Sequence, residues 1–193
     1  MSPSRPLAAA PADATSESAG TRVAIKPRRF PGERGPAPKL ALVWATFFGV
    51  GYVPLAPGTA GTAAAIPLWW ALTYAPGWLY VAATAAVALT GIAAAERAGR
   101  YYGVADSGHI VIDEVAGYLV TMAFLPRTLF AALTGFVLFR ILDVLKPWPA
   151  RFFDRAPRWK NGAGVVLDDL FAGLWALLLT WGAVAAKGRL LGP

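Results

Sequence analysis

LALVWATFFGVGYVPLAPGTAGTAAAIPLWWALTYAPGWLYVAATAAVALTGIAAA, residues 40–95, runs for 56 positions without one Asp, Glu, Lys, Arg or His. A water-covered surface rarely tolerates such a stretch, and at ~20 residues per span it is long enough for two transmembrane helices. Around it the chain has 193 residues, 56% of them hydrophobic and only 15% charged, against about 25% charged in a typical soluble domain. A soluble, purely cytosolic monomer is therefore not expected. The expectation is an all-α fold, a small polytopic membrane helix bundle of about four to five apolar helices.

The first part of this stretch, Leu40 to Tyr52, ends in the Gly/Pro-rich run Gly51 to Thr62. Pro54 and Pro57 forbid a continuous helix through it. The pattern predicts a short interfacial or re-entrant helix that leads into a structured loop. Ala63 to Tyr74 then reads as a helix, with Pro67 tolerable near its start. Pro76-Gly77 reads as a turn and Trp78 to Ala95 as a second helix. Trp69, Trp70, Tyr74, Trp78 and Tyr80 flank that turn, as aromatics do at a membrane interface. Glu96 to Gly108 is polar and loop-like. Three further apolar segments follow, Ile110–Leu125, Leu129–Leu145 and Val165–Ala186, the first two ended by Pro126 and Pro147. Between the last two lies residues 146–164, with five Lys/Arg and one Asp.

Residues 1–39 are rich in Pro, Ala, Ser and Arg and show no apolar periodicity, so they read as a disordered basic arm. No signal peptide is expected there, because no apolar core of about 7–15 residues follows a short basic start. Residues 40–193 form the remaining domain. Of the net charge of +7, the arm carries +4. Basic charge beside apolar spans points to membrane lipids, and no nucleic-acid partner is expected. The chain has no cysteine and one histidine. This excludes disulfides, thiolate zinc sites, phosphocysteine chemistry and any mechanism needing a His pair. His109 itself reads as a loop residue.

Orientation follows from the positive-inside rule. The arm and the basic segment 146–164 both belong on the cytoplasmic side, and the span count returns 96–108 to that side as well. Lys187 and Arg189 would then lie outside, a conflict that a shallow or returning final helix would remove.

Five acids interrupt the later apolar segments. Asp113 and Glu114 lie near the start of the third span, Asp143 near the end of the fourth, and Asp168 and Asp169 near the start of the fifth. An ionised residue at the bilayer centre costs at least ~2.5–3.5 kcal/mol, so such residues usually have a partner or a task. The topology brings all five, and the loop Pro57–Thr62, to one membrane face. Five carboxylates held together repel one another unless protonated or neutralised, and a hard divalent cation such as Mg²⁺ is the economical solution. Arg140 and Lys146 place positive charge beside these acids, as a phosphate ester requires. Gly58, Thr59, Gly61 and Thr62, at a helix start, offer backbone N–H groups to phosphate. Each feature also has a plain structural reading. Asp168-Asp169 can satisfy a helix dipole, Arg140 and Asp143 can form an i,i+3 pair, and the Gly/Pro run can be only a turn. Gly117 and Gly173, four residues after the acid pairs, read as close helix-packing positions. Trp148, Phe152, Phe153 and Trp159 in the basic segment read as interface anchors.

Four runs taken together resemble one family. They are residues 53–62 (VPLAPGTAGT), 110–117 (IVIDEVAG), 139–149 (FRILDVLKPWP) and 168–173 (DDLFAG). They occur in the order found in phosphatidylglycerophosphatase A, and the resemblance covers the chain from about Leu40 onward. Thr62 stands where the family often has Ser, which preserves a hydroxyl. The resemblance implies a Mg²⁺-dependent phosphoric monoester hydrolase of the bacterial inner membrane, acting at its cytoplasmic face. Its substrate would be phosphatidylglycerophosphate and its product phosphatidylglycerol. In that reading Asp113, Glu114, Asp143, Asp168 and Asp169 hold one or two Mg²⁺, and Arg140 and Lys146 grip the phosphomonoester. Two rivals remain: a phosphotransferase acting on a CDP-lipid, whose Asp-Gly-x-x-Ala-Arg signature is lacking, and a non-enzymatic cation-transport protein using the same acids.

Overall fold

The computed structural model describes residues 36–191, so the predicted arm, apart from its last four residues, lies outside them. The described chain is helical throughout. It comprises α1 (Lys39–Ala45), a 3₁₀ turn (Val50–Tyr52), α2 (Pro57–Leu72), α3 (Gly77–Tyr102), α4 (Ile112–Thr121) and α5 (Leu129–Leu145). After these come α6 (Ala150–Arg155), a second 3₁₀ turn (Pro157–Trp159) and α7 (Gly162–Leu191).

Two boundaries differ from expectation for reasons the backbone makes plain. Helix α2 begins at Pro57 instead of Ala63, so Gly58 to Thr62 form its first turns and not a loop. Proline fits the first helical position, where its φ is already helical and its missing N–H has no helical partner to lose. The preceding Ala56 turns the chain with a left-handed φ of 50°. At the other end of the hairpin, α3 runs on to Tyr102 and stops at Gly103, whose φ of 75° is left-handed. Glu96, Arg97 and Arg100, expected in a loop, therefore sit on the last turns of a helix.

The third predicted span also shrinks. Helix α4 has ten residues, about 15 Å at 1.5 Å per residue, roughly half the ~30 Å hydrocarbon thickness. Its side chains explain why. Val115, Ala116, Tyr118, Leu119 and Thr121 are fully buried, because α4 is the centre of the bundle, packed against α2, α3, α5 and α7. Among the described residues, α3 and α7 are the helices long and apolar enough to cross a membrane. Helix α7 runs without a break to Leu191 and does not turn back.

Successive helices α2, α3, α4, α5 and α7 alternate in direction along the chain, so that α2, α4 and α7 run parallel and the bundle has two ends. At one end Trp69 Nε1 of α2 donates to the Met122 carbonyl (3.2 Å), and the Tyr80 hydroxyl of α3 donates to the Leu119 carbonyl. These two aromatics, expected at an interface, are core residues. Their neighbours Tyr74 and Trp78 are each 72% exposed. At the opposite end Glu96 Oε2 accepts the Gly162 amide (2.8 Å), so α3 caps the start of α7, where Asn161 Oδ1 also takes the Gly164 amide (3.0 Å). Gly117 and Gly173 do serve packing. A Cβ on Gly117 would lie 2.6 Å from the Phe139 ring and 2.8 Å from the Asp169 carbonyl, and one on Gly173 would strike the Gly117 carbonyl. The outer flanks remain apolar: Leu89, Val137, Leu178 and Trp181 each leave half or more of their surface exposed.

Candidate active site

The capped end of the bundle carries the acids. Asp113 and Glu114 occupy the first turn of α4, Asp143 the last turn of α5, and Asp168 and Asp169 the second turn of α7. Four of these five residues are buried, and Glu114 is nearly so. The five separate into two groups.

In the first group, Asp113, Glu114 and Asp169 each present an oxygen within 4.8 Å of the others. Asp113 Oδ1, Glu114 Oε2 and Asp169 Oδ2 are buried without a hydrogen-bond partner. A buried charged acceptor left unpaired is costly, so three at one point call for protons or a shared cation. The ligands of a hard divalent ion bound at about 2.0–2.1 Å lie up to about 4.2 Å apart. The observed spacing closes to that with small side-chain adjustments, and carboxylate oxygens are the donors such an ion prefers.

In the second group, Asp143 and Asp168 are engaged by cations. Arg140 Nη1 donates to Asp143 Oδ2 at 2.8 Å and lies 3.7 Å from Glu114 Oε1, so this guanidinium bridges the two groups. Lys146 Nζ donates to Asp168 Oδ2 at 2.6 Å, with Asp154 Oδ1 at 3.3 Å and Asp143 Oδ1 at 3.9 Å. Burial works against the lysine's charge, but Asp168 first, then Asp169 and Asp143, outweigh it and hold its pKa above the usual lysine value. Its left-handed backbone, φ 45°, closes α5 and turns the chain toward α6. The Arg140–Asp143 i,i+3 pair that the spacing allowed thus exists, inside a larger network.

The glycine-rich run divides in the same way. Gly58 touches the acids: a Cβ there would overlap Glu114 Oε1 and stand 3.2 Å from Arg140 Nη2. Thr59, half-buried, shares its turn. Gly61 faces Val111 instead, where a Cβ would be 2.7 Å away. Thr62 is fully buried and its hydroxyl donates to the Gly58 carbonyl at 2.9 Å, so it braces the turn. His109 is exposed, and its Nδ1 donates to the Gly51 carbonyl at 3.0 Å between the rings of Tyr52 and Tyr102. Two contributors were not foreseen. Asp154 was legible only as the lone acid of a basic segment. Glu96, capping α7 from 66 residues away, leaves no sequence signal at all.

A helical bundle that collects five carboxylates, an arginine and a lysine at one end, beside a glycine-opened helix start, has the equipment of a phosphoester-handling protein. The profile of the family Phosphatidylglycerophosphatase A matches residues 43–184. The Phosphatidylglycerophosphatase A of Escherichia coli (strain K12) is 40% identical over 131 residues, covering 67% of this chain and 75% of that protein. Its namesake in Haemophilus influenzae is 33% identical over 156 residues, covering 77% and 94%. A Bacteroides thetaiotaomicron protein named "Putative phosphatidylinositol-3-phosphatase" is 33% identical over 148 residues, covering 72% and 91%. No solved structure matches the chain. The chain belongs to the phosphatidylglycerophosphatase A family and is an enzyme of that type.

Proposed function

We propose that this protein hydrolyses the terminal phosphomonoester of phosphatidylglycerophosphate to phosphatidylglycerol and inorganic phosphate, with Mg²⁺ held by Asp113, Glu114 and Asp169. The observation that carries the reading is the trio of buried, donorless carboxylate oxygens beside Arg140. When bound, the ion supplies Lewis acidity, drawing charge from the phosphoryl oxygens and making water a stronger acid. Arg140, a fixed fork 22% exposed, binds the phosphomonoester and offsets the charge that develops on its oxygens. Gly58 and Thr59, at the start of α2, add backbone N–H groups next to that arginine. Glu114 is the most open member of the trio, so it accepts the proton of the water that attacks phosphorus in line. Lys146 is occupied by three carboxylates, and its part is to hold Asp168 and Asp143 in place.

The apolar flanks and the two long helices support a protein embedded in the bacterial inner membrane as a multi-pass bundle. In this reading the acidic end lies at the cytoplasmic interface, where a lipid phosphate also lies. The cation-transport alternative is not favoured, because the acids gather at one end of the bundle and do not follow a path through it.

The test is phosphate release by the purified protein from mixed micelles of phosphatidylglycerophosphate, phosphatidate or a phosphoinositide, with a soluble phosphomonoester for comparison. Preference for phosphatidylglycerophosphate is expected, with loss in EDTA and recovery on adding Mg²⁺. Asp113→Asn and Asp169→Asn should each lose more than the ~10–100-fold typical of residues that only support a ligand. Near wild-type turnover in both variants would sink the metal reading, and preference for the soluble ester would overturn the lipid assignment.

A further inference from the structure

A groove of about 670 Å³ runs between α1 and α3, away from the acids of the candidate site. That size is within the ~300–1,000 Å³ of ordinary ligand pockets. One wall is Leu40, Val43, Trp44 and Phe48; the other is the α3 face around Ala93, where small side chains leave the trough. The two walls are tied together by the Trp44 indole, which donates to Thr90 Oγ1 at 3.0 Å. Leu40 and Phe48 are 80% and 70% exposed, so the wall is uncovered.

Among the described residues that line the groove, the cation is Arg97. Its Nη1 donates to the Ala93 carbonyl at 2.9 Å, which folds the guanidinium back along the groove. Among the described residues no carboxylate pairs with it, although the neighbouring Arg100 is paired with Glu96. Arg97 also marks a level. The adjacent Glu96 caps α7 six residues before Asp168, so the guanidinium stands at the acidic end of the bundle. An apolar trough with a phosphate-type donor at the headgroup level matches one kind of molecule in both charge and polarity.

We infer that the α1–α3 groove is a second lipid site, distinct from the catalytic one, which holds an acyl chain of a phospholipid with its phosphate on Arg97. The site rests on the reading that the protein is embedded in a membrane, and it goes beyond the hydrolysis itself. Arg97 selects for a lipid that carries a phosphate, and the aromatic wall of α1 holds the chain. Charge-assisted bonds from a guanidinium to phosphate separate a phospholipid from a diacylglycerol, which lacks the phosphate, by about tenfold or more.

Full-length protein, delipidated in non-ionic detergent, is titrated with phosphatidylserine or with diacylglycerol, and bound lipid is counted by native mass spectrometry. One phosphatidylserine per chain, retained about tenfold better than diacylglycerol, is expected. Arg97→Gln should abolish that preference. Ala93→Phe, at an exposed position that tolerates bulk, should fill the trough and release both lipids. Asp113→Asn serves as the catalytic-site control and should keep the lipid. Retention unchanged in both Arg97→Gln and Ala93→Phe overturns the inference, as does loss in Asp113→Asn, which would place the lipid at the acids. Groove occupancy by the chain's own residues 1–35 or by a second copy would show as lipid counts insensitive to Ala93→Phe, and this also overturns it. Phosphate release measured in parallel fails or succeeds separately, so loss of the hydrolysis reading would leave the lipid count interpretable.

Discussion

Replacing Gly58 by Ala separates function from stability. The added Cβ would overlap Glu114 Oε1 and crowd Arg140 Nη2 at 3.2 Å. To regain an ordinary carbon–oxygen separation of about 3.5 Å, the glutamate carboxylate must retreat by more than about 1 Å. Folding loses little by this. The atom that moves is the tip of a flexible side chain, the backbone of Gly58 is already helical, and alanine exceeds glycine in a helix by up to about 1 kcal/mol. Catalysis has no such freedom, because a misplacement of about 1 Å at a reacting centre costs on the order of 100-fold, or about 2.7 kcal/mol of barrier. The Gly58→Ala protein should therefore melt at or slightly above the wild-type temperature in detergent. Its kcat/KM for phosphate release from phosphatidylglycerophosphate micelles should fall about 100-fold. Wild-type kcat/KM would refute the placement of Gly58 against the catalytic glutamate. A large drop in melting temperature would refute the claim that Glu114 takes up the displacement.

Gly117→Ala should behave oppositely. Its Cβ meets the Phe139 ring at 2.6 Å and the Asp169 carbonyl at 2.8 Å, so overpacking should cost about 1–3 kcal/mol in denaturant titration. Lys146→Met strips Asp168, 2% exposed, of its ammonium; a loss of about 3–5 kcal/mol is expected, with partial recovery in Lys146→Arg. Glu96→Ala removes the acceptor that caps α7 and should cost about 0.5–2 kcal/mol. Glu96→Gln, which keeps an oxygen there, should stay close to wild type in the same thermal melt.

Much of this site was legible because polar residues in apolar segments are few and each stands out. Asp113, Glu114, Asp143, Asp168 and Asp169 could be picked out singly, and alternation of helix direction was enough to bring them to one end. The lengths of the helices were harder. Ile110 to Leu125 reads as a span from hydropathy alone, yet only ten residues of it are helical, since hydropathy does not tell burial against other helices from burial in lipid. Trp69 and Tyr80 were misplaced for the same reason: an aromatic with a polar tip suits an interface or a core carbonyl equally well. The extent of α2 turned on whether Pro57 broke a helix or began one, a choice that rested on the left-handed Ala56 before it. The division of labour among the acids lay beyond any spacing rule. Lys146 and Asp168 are 22 residues apart and meet at 2.6 Å, so the lysine that looked available for phosphate is already spoken for.

That pairing bears directly on how a phosphate could approach. With the five acids and Asp154 ionised, Arg140 and Lys146 offset two of six charges and leave a formal excess of four negatives around the site. A phosphomonoester brings about −1.5 to −2 more. Like charges about 4 Å apart repel by about 4 kcal/mol even at an effective dielectric of 20, so Arg140 alone cannot draw the substrate in. On the proposed reading, a divalent ion held by Asp113, Glu114 and Asp169 would reduce the excess to two and would supply positive charge for the phosphate. Ion and lipid phosphate would then favour each other's binding, and by linkage the effect would be reciprocal. The same arithmetic explains why Lys146 belongs with the acids: freeing it for phosphate would take from Asp168, with 2% of its side chain exposed, the ammonium that donates to it at 2.6 Å. On the proposed reading, the scarcity of charge in this chain thus sets the roles within the site, one cation for the substrate and one for the scaffold.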